Sequence, residues 1–251
     1  MNQLTPALSA IIESSSIEII SQHIEDHHTL VIFDLDNTIM EPHDSIGTTS
    51  WFFAMVQQAE LLGIGKEEAV KIIDNHIDSL NLAMKPVEET TVPFIQSLQT
   101  KKIPIIGLTG RSPLISQSTI DQLTSINVDL SKTCLPAQTL KTETLPFPTL
   151  YHNGIGFCHA FNKKGAVLKV LLEATSFEPK KIIFIDDLLH YQLDVQKAAQ
   201  ELNIPFIGIR YSYLDKKAHD FKLDQHSINL LTNLQLMRPE IASNEPTQFN
   251  S

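Results

Sequence analysis

The sequence predicts an α/β fold in which a mostly parallel, Rossmann-like sheet is covered by helices. Short runs of β-branched and aromatic residues recur along the chain, as at residues 30–33 and 181–185. Strands of this kind, apolar throughout, are buried on both faces of a sheet. Stretches with helical spacing of apolar residues lie between them, and this alternation is typical of a parallel sheet.

The first part of the chain predicts one buried strand followed by helices. Residues 7–25 carry apolar side chains at helical spacing, so we expect an amphipathic arm there. The run 30–33 is the first strand, and it stops at two acids. Helical spacing then fills 49–101, where Gly63 and Gly65 separate the first helix from the second. We expect two or three helices in this stretch.

The second part of the chain predicts three further buried strands. Ser112-Pro113 starts a helix, with the serine as N-cap and the proline at the first helical position. Asn153-Gly154 is typical of a hairpin turn. The remaining elements are a strand at 103–108, a helix ending near residue 126, helices at 166–174 and 191–202, and strands at 181–185 and 205–209.

Composition limits the possible functions. The chain has 251 residues and a formal net charge of -10. Without Lys/Arg clusters, this charge argues against a broad electrostatic surface for nucleic acid or anionic lipid. Its two cysteines, Cys134 and Cys158, are too few for a disulfide framework and lack metal-binding spacing. No run of about 18 apolar residues occurs, and the start does not resemble a signal peptide. We expect a cytoplasmic protein, although an export signal read by a receptor would escape this test.

Polar residues follow three of the predicted strands. Asp34 and Asp36 follow the first, Thr109 the second, and Asp186 and Asp187 the third. In open parallel sheets the ligand crevice lies outside the carboxyl ends of the strands, so these side chains are expected to converge. Close carboxylates raise each other's pKa unless a cation intervenes, and Mg²⁺ suits a carboxylate site that also receives a phosphate.

A phosphate near Asp34 needs cationic and hydrogen-bonding groups around its oxygens. Thr109 offers a hydroxyl, with neighbouring amides such as that of Gly110. Arg111 can clamp a phosphate through two parallel hydrogen bonds. Lys164 opens a predicted helix and supplies a candidate cation; Lys163 beside it is the adjacent candidate, and sequence alone separates the two poorly.

This order of motifs resembles the haloacid dehalogenase (HAD) superfamily: a strand with Asp-Leu-Asp-Asn-Thr, a strand with Thr, Lys-Gly at a helix start, and a strand with Asp-Asp. The resemblance covers about residues 29–210 and points to an uncharacterised bacterial branch. It implies a Mg²⁺-dependent phosphatase in which Asp34 becomes an aspartyl phosphate and Asp36 transfers protons. Thr109 and Lys164 would bind the phosphoryl group.

The resemblance also implies the ligands and the domains. Asp34 and Asp186 would hold Mg²⁺ through their side chains and Asp36 through its carbonyl, with Asp187 as a ligand or a neighbour of one. A small helical cap, 39–101, would be inserted after the first core strand. The HAD-like core would be 1–38 and 102–237, and residues 238–251 are expected to be a disordered tail.

Three other functions are compatible with parts of this pattern. A receiver-type signalling domain also uses an acid pair, a phosphorylated Asp, a Thr and a Lys, but there the acid pair comes first. A dehalogenase needs neither metal nor the acid at Asp36. A catalytically retired HAD-like binding protein is harder to separate, although every key position is filled. We expect a small phosphorylated substrate and no nucleic-acid or membrane partner; the sequence leaves the substrate and the oligomeric state open.

Overall fold

The fold is a mostly parallel sheet of seven strands with flanking helices, as the sequence predicts. The computed structural model describes residues 8–136, 140 and 142–236. The strands are β1 (Ser9–Ser14), β2 (Thr29–Phe33), β3 (Met40–Pro42), β4 (Met84–Pro86), β5 (Ile105–Thr109), β6 (Leu150–His152), β7 (Ile155–Phe157), β8 (Lys181–Asp186) and β9 (Phe206–Tyr211). The α-helices are α1 (Thr49–Leu61), α2 (Lys66–Ser79), α3 (Thr91–Thr100), α4 (Ser116–Ser125), α5 (Lys164–Thr175), α6 (Leu189–Glu201), α7 (Asp215–Asp220) and α8 (Gln225–Leu236).

The seven strands follow the order β1-β9-β8-β2-β5-β7-β6. Every neighbouring pair is parallel except β6 and β7, which form an antiparallel hairpin. Strand β2 lies in the middle, and all five of its residues are buried. Since parallel strands point the same way, the carboxyl ends of β2, β5 and β8 share one edge.

The four buried strands predicted from the sequence are confirmed, with ends shifted by one or two residues. The hairpin around Asn153-Gly154 is also confirmed, with both residues at positive φ as a two-residue hairpin turn requires. Ser112 caps a short 3₁₀ helix, Pro113–Ile115, that leads directly into α4.

The expected amphipathic arm over 7–25 is wrong. Residues Ser9–Ser14 form strand β1, and Ile17–Gln22 form a 3₁₀ helix. Strand β1 pairs with β9 along its whole length, from Ser9 opposite Phe206 to Ser14 opposite Tyr211. Pairing with a strand from the far end of the chain has overridden a local pattern that also fits a helix.

The compact units differ from the expected domains. Unit 1 contains residues up to His43 together with Ala83–Asp215. Helix α3, which we expected in the cap, belongs to this unit because Phe94, Ile95 and Leu98 are buried in it. Strands β3 and β4 pair there as a separate antiparallel ribbon. The segment of unit 2 that follows the first core strand is Asp44–Leu82, which lies within the expected 39–101.

Unit 2 combines Asp44–Leu82 with residues from Lys216 onward. Helices α1 and α2 lie in the first segment and α8 in the second. Trp51 is buried in this unit, and its indole N–H donates to the Ser227 hydroxyl at 2.9 Å. Helix α8 is therefore grouped with α1 and α2, whereas the expected core runs to residue 237. The tail expected at 238–251 lies outside the described residues.

Helices α5 and α6 pack closely on one face of the sheet in unit 1. At Gly165 there is no room for a side chain, because a Cβ would lie 2.5 Å from the carbonyl oxygen of Asp194 on α6. The Gly165 N–H also donates to the Asp194 carboxylate at 2.8 Å. This contact fixes the start of α5, which is where Lys164 lies.

We expect Gly165→Ala to lower the free energy of unfolding by about 1–3 kcal/mol, the usual effect of inserting an atom into a packed interior. The clash is with backbone, so neighbouring side chains cannot relieve it. The matched control is Gly65→Ala, since a Cβ there meets no atom within 4 Å. Chemical denaturation measures both variants, and equal stability losses would contradict this account of the α5–α6 contact.

Candidate functional site

Asp34 lies at the carboxyl end of β2, in the centre of the sheet. Its backbone N–H donates to the carbonyl of Ile185 at 2.9 Å, which extends the pairing of β2 with β8 by one residue. The side chain is almost completely buried. Asp34 is therefore fixed next to the end of β8, where Asp186 and Asp187 follow in sequence.

Lys164 is the first residue of α5, and its side chain is buried among the acids. The ammonium Nζ donates to Asp34 Oδ1 at 2.5 Å and to Asp186 Oδ2 at 2.7 Å. It also lies 4.3 Å from the ring centroid of Tyr191. Lys163, by contrast, is exposed at the cap position of α5. The two adjacent lysines, which the sequence alone separates poorly, thus differ in burial and in contact with the acids.

The carboxylates of Asp34, Asp186 and Asp187 form one cluster. Each contributes an oxygen, and these oxygens all lie within 4.8 Å of one another. Asp187 Oδ2 also accepts a hydrogen bond from the Asn37 side-chain amide at 3.0 Å. Three hard oxygen donors at this spacing fit Mg²⁺, which binds a few carboxylates and completes its shell with water and phosphate. Asp36 is not part of this cluster, and its carboxylate accepts hydrogen bonds from Arg111.

Burial shifts the protonation of this cluster. It raises the pKa of Asp34 well above its ordinary value, with Lys164 opposing the rise and Asp186 adding to it. Burial, reinforced by Asp186, raises the pKa of Asp187 to about 7. For Lys164 burial acts downward, but Asp186 and Asp34 outweigh it and raise the pKa. The lysine therefore stays charged, and a further cation beside the carboxylates would lower their raised pKa values.

A tight turn follows Asp34 and brings the side chains of Asn37 and Thr38 close to the clustered acids. The Leu35 carbonyl accepts N–H bonds from Thr38, Ile39 and Met40. Asn37, at φ 59°, adopts the left-handed conformation that asparagine tolerates better than most residues. The Thr38 hydroxyl lies 3.4 Å from Asp34 Oδ2. Thr38 and Asn37 thus each contact one of the clustered acids.

The end of β5 places Thr109, Gly110 and Arg111 at the same edge of the sheet. Thr109 is completely buried, and its hydroxyl oxygen accepts the N–H of Arg111 at 3.2 Å. Gly110 lies against Tyr191, since a Cβ at Gly110 would be 3.3 Å from the tyrosine hydroxyl. Tyr191 thereby touches both the β5 turn and Lys164, and burial raises its pKa to about 12.

Arg111 makes the most extensive side-chain contacts at this edge. Its Nε donates to Asp36 Oδ2 at 2.8 Å, and its Nη2 donates to Asp36 Oδ1 at 2.7 Å. Nη1 donates to the Thr119 hydroxyl at 3.0 Å and to Gln122 Oε1 at 2.6 Å, both on α4. The two arms of the guanidinium thus hold a carboxylate on one side and a helix on the other.

The structure brings most of the predicted site residues together at one sheet edge. Asp34, Lys164, Asp186 and Asp187 are in direct or near contact. Sequence reasoning missed the partners that hold them, namely Asn37, Thr38, Thr119, Gln122 and Tyr191. Asn37 and Thr38 lie within the motif itself, so their polar side chains were the available signal. The other three carry no local signal, because only the fold places their helices here.

Fold and site together define an α/β protein with three acids and one lysine clustered at the carboxyl edge of its parallel sheet. The chain belongs to the DUF2608 family, described as "Protein of unknown function", whose profile matches residues 13–240. It is similar to a "Putative outer membrane protein" of Chlamydia trachomatis serovar D, with 26% identity over 215 residues, 83% of this chain and 79% of that protein. A protein of the same description from Chlamydia muridarum is 25% identical over 215 residues, 85% of this chain and 80% of that protein.

Among solved structures, the chain is similar to a "putative beta-phosphoglucomutase" from Thermotoga maritima. That match has 12% sequence identity and a TM-score of 0.38, and it covers 77% of this chain and all of the other. Across the described residues, no helix combines the length and apolar character needed to cross a membrane.

We expect Mg²⁺ binding to release protons and to weaken as the pH falls through about 7. Below its raised pKa of about 7, Asp187 carries a proton, and a protonated carboxyl does not ligate a metal. Calorimetric titration in two buffers of different ionisation enthalpy measures the protons released. Asp187→Asn should bind Mg²⁺ more weakly and with less pH dependence in this range. Equal wild-type affinity at about pH 6 and about pH 8 would contradict the prediction.

Proposed function

We propose that this protein is a Mg²⁺-dependent phosphohydrolase of the HAD type, acting on a phosphate monoester through an aspartyl phosphate on Asp34. The observation that carries the proposal is the position of Lys164, whose ammonium contacts both Asp34 and Asp186. A nucleophilic carboxylate that receives a dianion needs a cation beside it, and this lysine supplies one where no solvent screens it.

In the proposed first step, a carboxylate oxygen of Asp34 attacks phosphorus. The bond between phosphorus and the leaving oxygen breaks, and Asp36 donates a proton to that oxygen. The result is an aspartyl phosphate and a free alcohol. Lys164 and the Thr109 hydroxyl bind the phosphoryl oxygens during the transfer. Asp34 and Asp186, together with Asp187, would hold Mg²⁺, which when bound supplies positive charge against the incoming phosphate.

In the second step, Asp36 takes a proton from water. The water oxygen attacks phosphorus, the bond to Asp34 breaks, and inorganic phosphate leaves. Asp34 returns to its carboxylate form, so the cycle closes without any other reactant. The substrate class is a small phosphorylated molecule, and we propose neither a nucleic-acid nor a membrane partner.

A catalytically retired HAD-like binding protein is the second candidate. It would keep the acid cluster and the lysine for binding an anion or a metal without turnover. The compartment also stays a prediction. The sequence favours the cytoplasm, whereas the chlamydial relatives carry a name that refers to the outer membrane. Fractionation of cells that express the native protein would decide between the two locations.

The proposed function predicts that Asp34→Asn and Asp36→Asn lose activity in different ways. With Mg²⁺ and an aryl phosphate, Asp34→Asn should form no phosphoenzyme, because the amide is not a nucleophile. Asp36→Asn should still form it but release phosphate about 10²–10⁴-fold more slowly, the usual contribution of general acid–base catalysis. Rapid acid quench of protein labelled with radioactive phosphate measures both species. Chelation of Mg²⁺ should abolish wild-type turnover.

Two neighbouring lysines provide the matched control for this experiment. Lys164→Met removes the buried cation, whereas Lys163→Met changes an exposed side chain of the same type. Turnover should fall in the first variant and remain in the second. If wild-type protein with Mg²⁺ hydrolyses no phosphate ester in a broad screen, the retired binding protein becomes the better description. Normal turnover by Asp34→Asn would show that another residue is the nucleophile.

A further inference from the structure

The pair formed by Arg111 and Asp36 has a geometry that the proposed function does not yet use. Both oxygens of the carboxylate are held by two adjacent nitrogens of the guanidinium, at 2.7 and 2.8 Å. The two side chains are 15% and 29% exposed, so the pair is shielded from much of the solvent. Such a two-point pair fixes the orientation of a carboxylate as well as its distance.

The guanidinium is itself anchored. Its Nη1 donates to Thr119 and Gln122, which lie one turn apart on α4 and are both buried. The Thr119 hydroxyl donates to the Ile115 carbonyl at 2.8 Å, so its oxygen is left to accept from Arg111. The main chain of Arg111 is held too, through its N–H to Thr109. Arg111 therefore links Asp36 rigidly to α4 and to the end of β5.

This arrangement bears on the expectation that Arg111 clamps a phosphate. An arginine has five N–H donors, and here four of its bonds go to protein acceptors. Of the two guanidinium edges that can hold a phosphate through two bonds, the edge of Nε and Nη2 holds Asp36. The other edge includes Nη1, which already donates to Thr119 and Gln122. Binding a phosphate at the first edge would require breaking both bonds to the carboxylate, and binding at the second would require breaking a bond from Nη1 to α4.

We propose that Arg111 is a positioning residue: it orients the Asp36 carboxylate for proton transfer and does not bind the transferred phosphoryl group. The inference rests on the proposed function, since it assigns a role relative to the acid and base of that reaction. Thr119 and Gln122 set the position of Arg111, and Arg111 sets the position of Asp36. A carboxylate on a rotatable side chain then meets the leaving oxygen, and later water, in one orientation.

Arg111→Lys tests this role, because lysine keeps the positive charge and loses the two-point geometry. With an aryl phosphate, whose leaving group needs no proton, the first turnover should be nearly unchanged. Steady turnover should fall about 10–10²-fold, since release from Asp34 depends on an oriented Asp36. The dissociation constant for inorganic phosphate with Mg²⁺, measured by calorimetry, should stay within about twofold of wild type.

A double variant separates action through Asp36 from independent action. In an Asp36→Asn background, Arg111→Lys should cause no further loss of turnover, because its effect passes through the missing carboxylate. Gln122→Leu serves as a second variant that leaves the pair intact and removes one anchor of the guanidinium. Gln122→Leu should slow steady turnover by a few-fold and leave phosphate binding unchanged. This variant still tests the inference if Arg111→Lys folds poorly.

The outcomes are distinct. If Arg111→Lys weakens phosphate binding by about tenfold or more, Arg111 binds the phosphate directly and the inference is overturned. Losses that multiply in the double variant would also overturn it, because the two residues would then act independently. An active wild type with either of these results leaves the proposed function intact. A wild type that hydrolyses no phosphate ester removes the proposed function, and the inference with it.

Discussion

The buried ammonium of Lys164 between Asp34 and Asp186 is the interaction on which the rest of the site depends. Each of these residues comes from a different element, namely α5, the end of β2 and the end of β8. Removing one member of such a pair leaves an uncompensated buried charge, which typically destabilises a protein by about 3–5 kcal/mol. The register of β2 against β8 and the start of α5 are therefore constrained together by one cation.

The sheet was predictable where the signal is local, and not where a distant partner decides. The strands at the centre are apolar throughout, so their burial is visible in the sequence. Strand β1 is different, because Ile11 and Ile12 fit a helix as well as a strand until β9 is present to pair with them. The extent of the insertion depends on a distant partner for a similar reason. Helix α3 is amphipathic in either unit, and only the core it packs against shows where it belongs.

The residues of the site likewise fall into those that the sequence predicts and those that it does not. Parallel strands bring their carboxyl ends to one edge, so the convergence of the acids followed from their order in the sequence. The choice between Lys163 and Lys164 did not, since adjacent residues at a helix start point in different directions. Nor did the partner of Arg111, because a guanidinium matches a carboxylate and a phosphate equally well. In each case the missing information was the direction in which a side chain points, which a sequence pattern does not give.

The short ribbon of β3 and β4 has a consequence for how this protein varies. Met40 lies opposite Pro86 and Pro42 opposite Met84, so the chain leaves unit 1 and returns to it at neighbouring points. Whatever lies between these two strands closes a loop whose ends are already joined by hydrogen bonds. Because the entropy of closure grows only with the logarithm of loop length, the length of this loop has a weak effect on it. A change in the length of this segment therefore costs the pairing of the central strands little, since none of their residues lies within it.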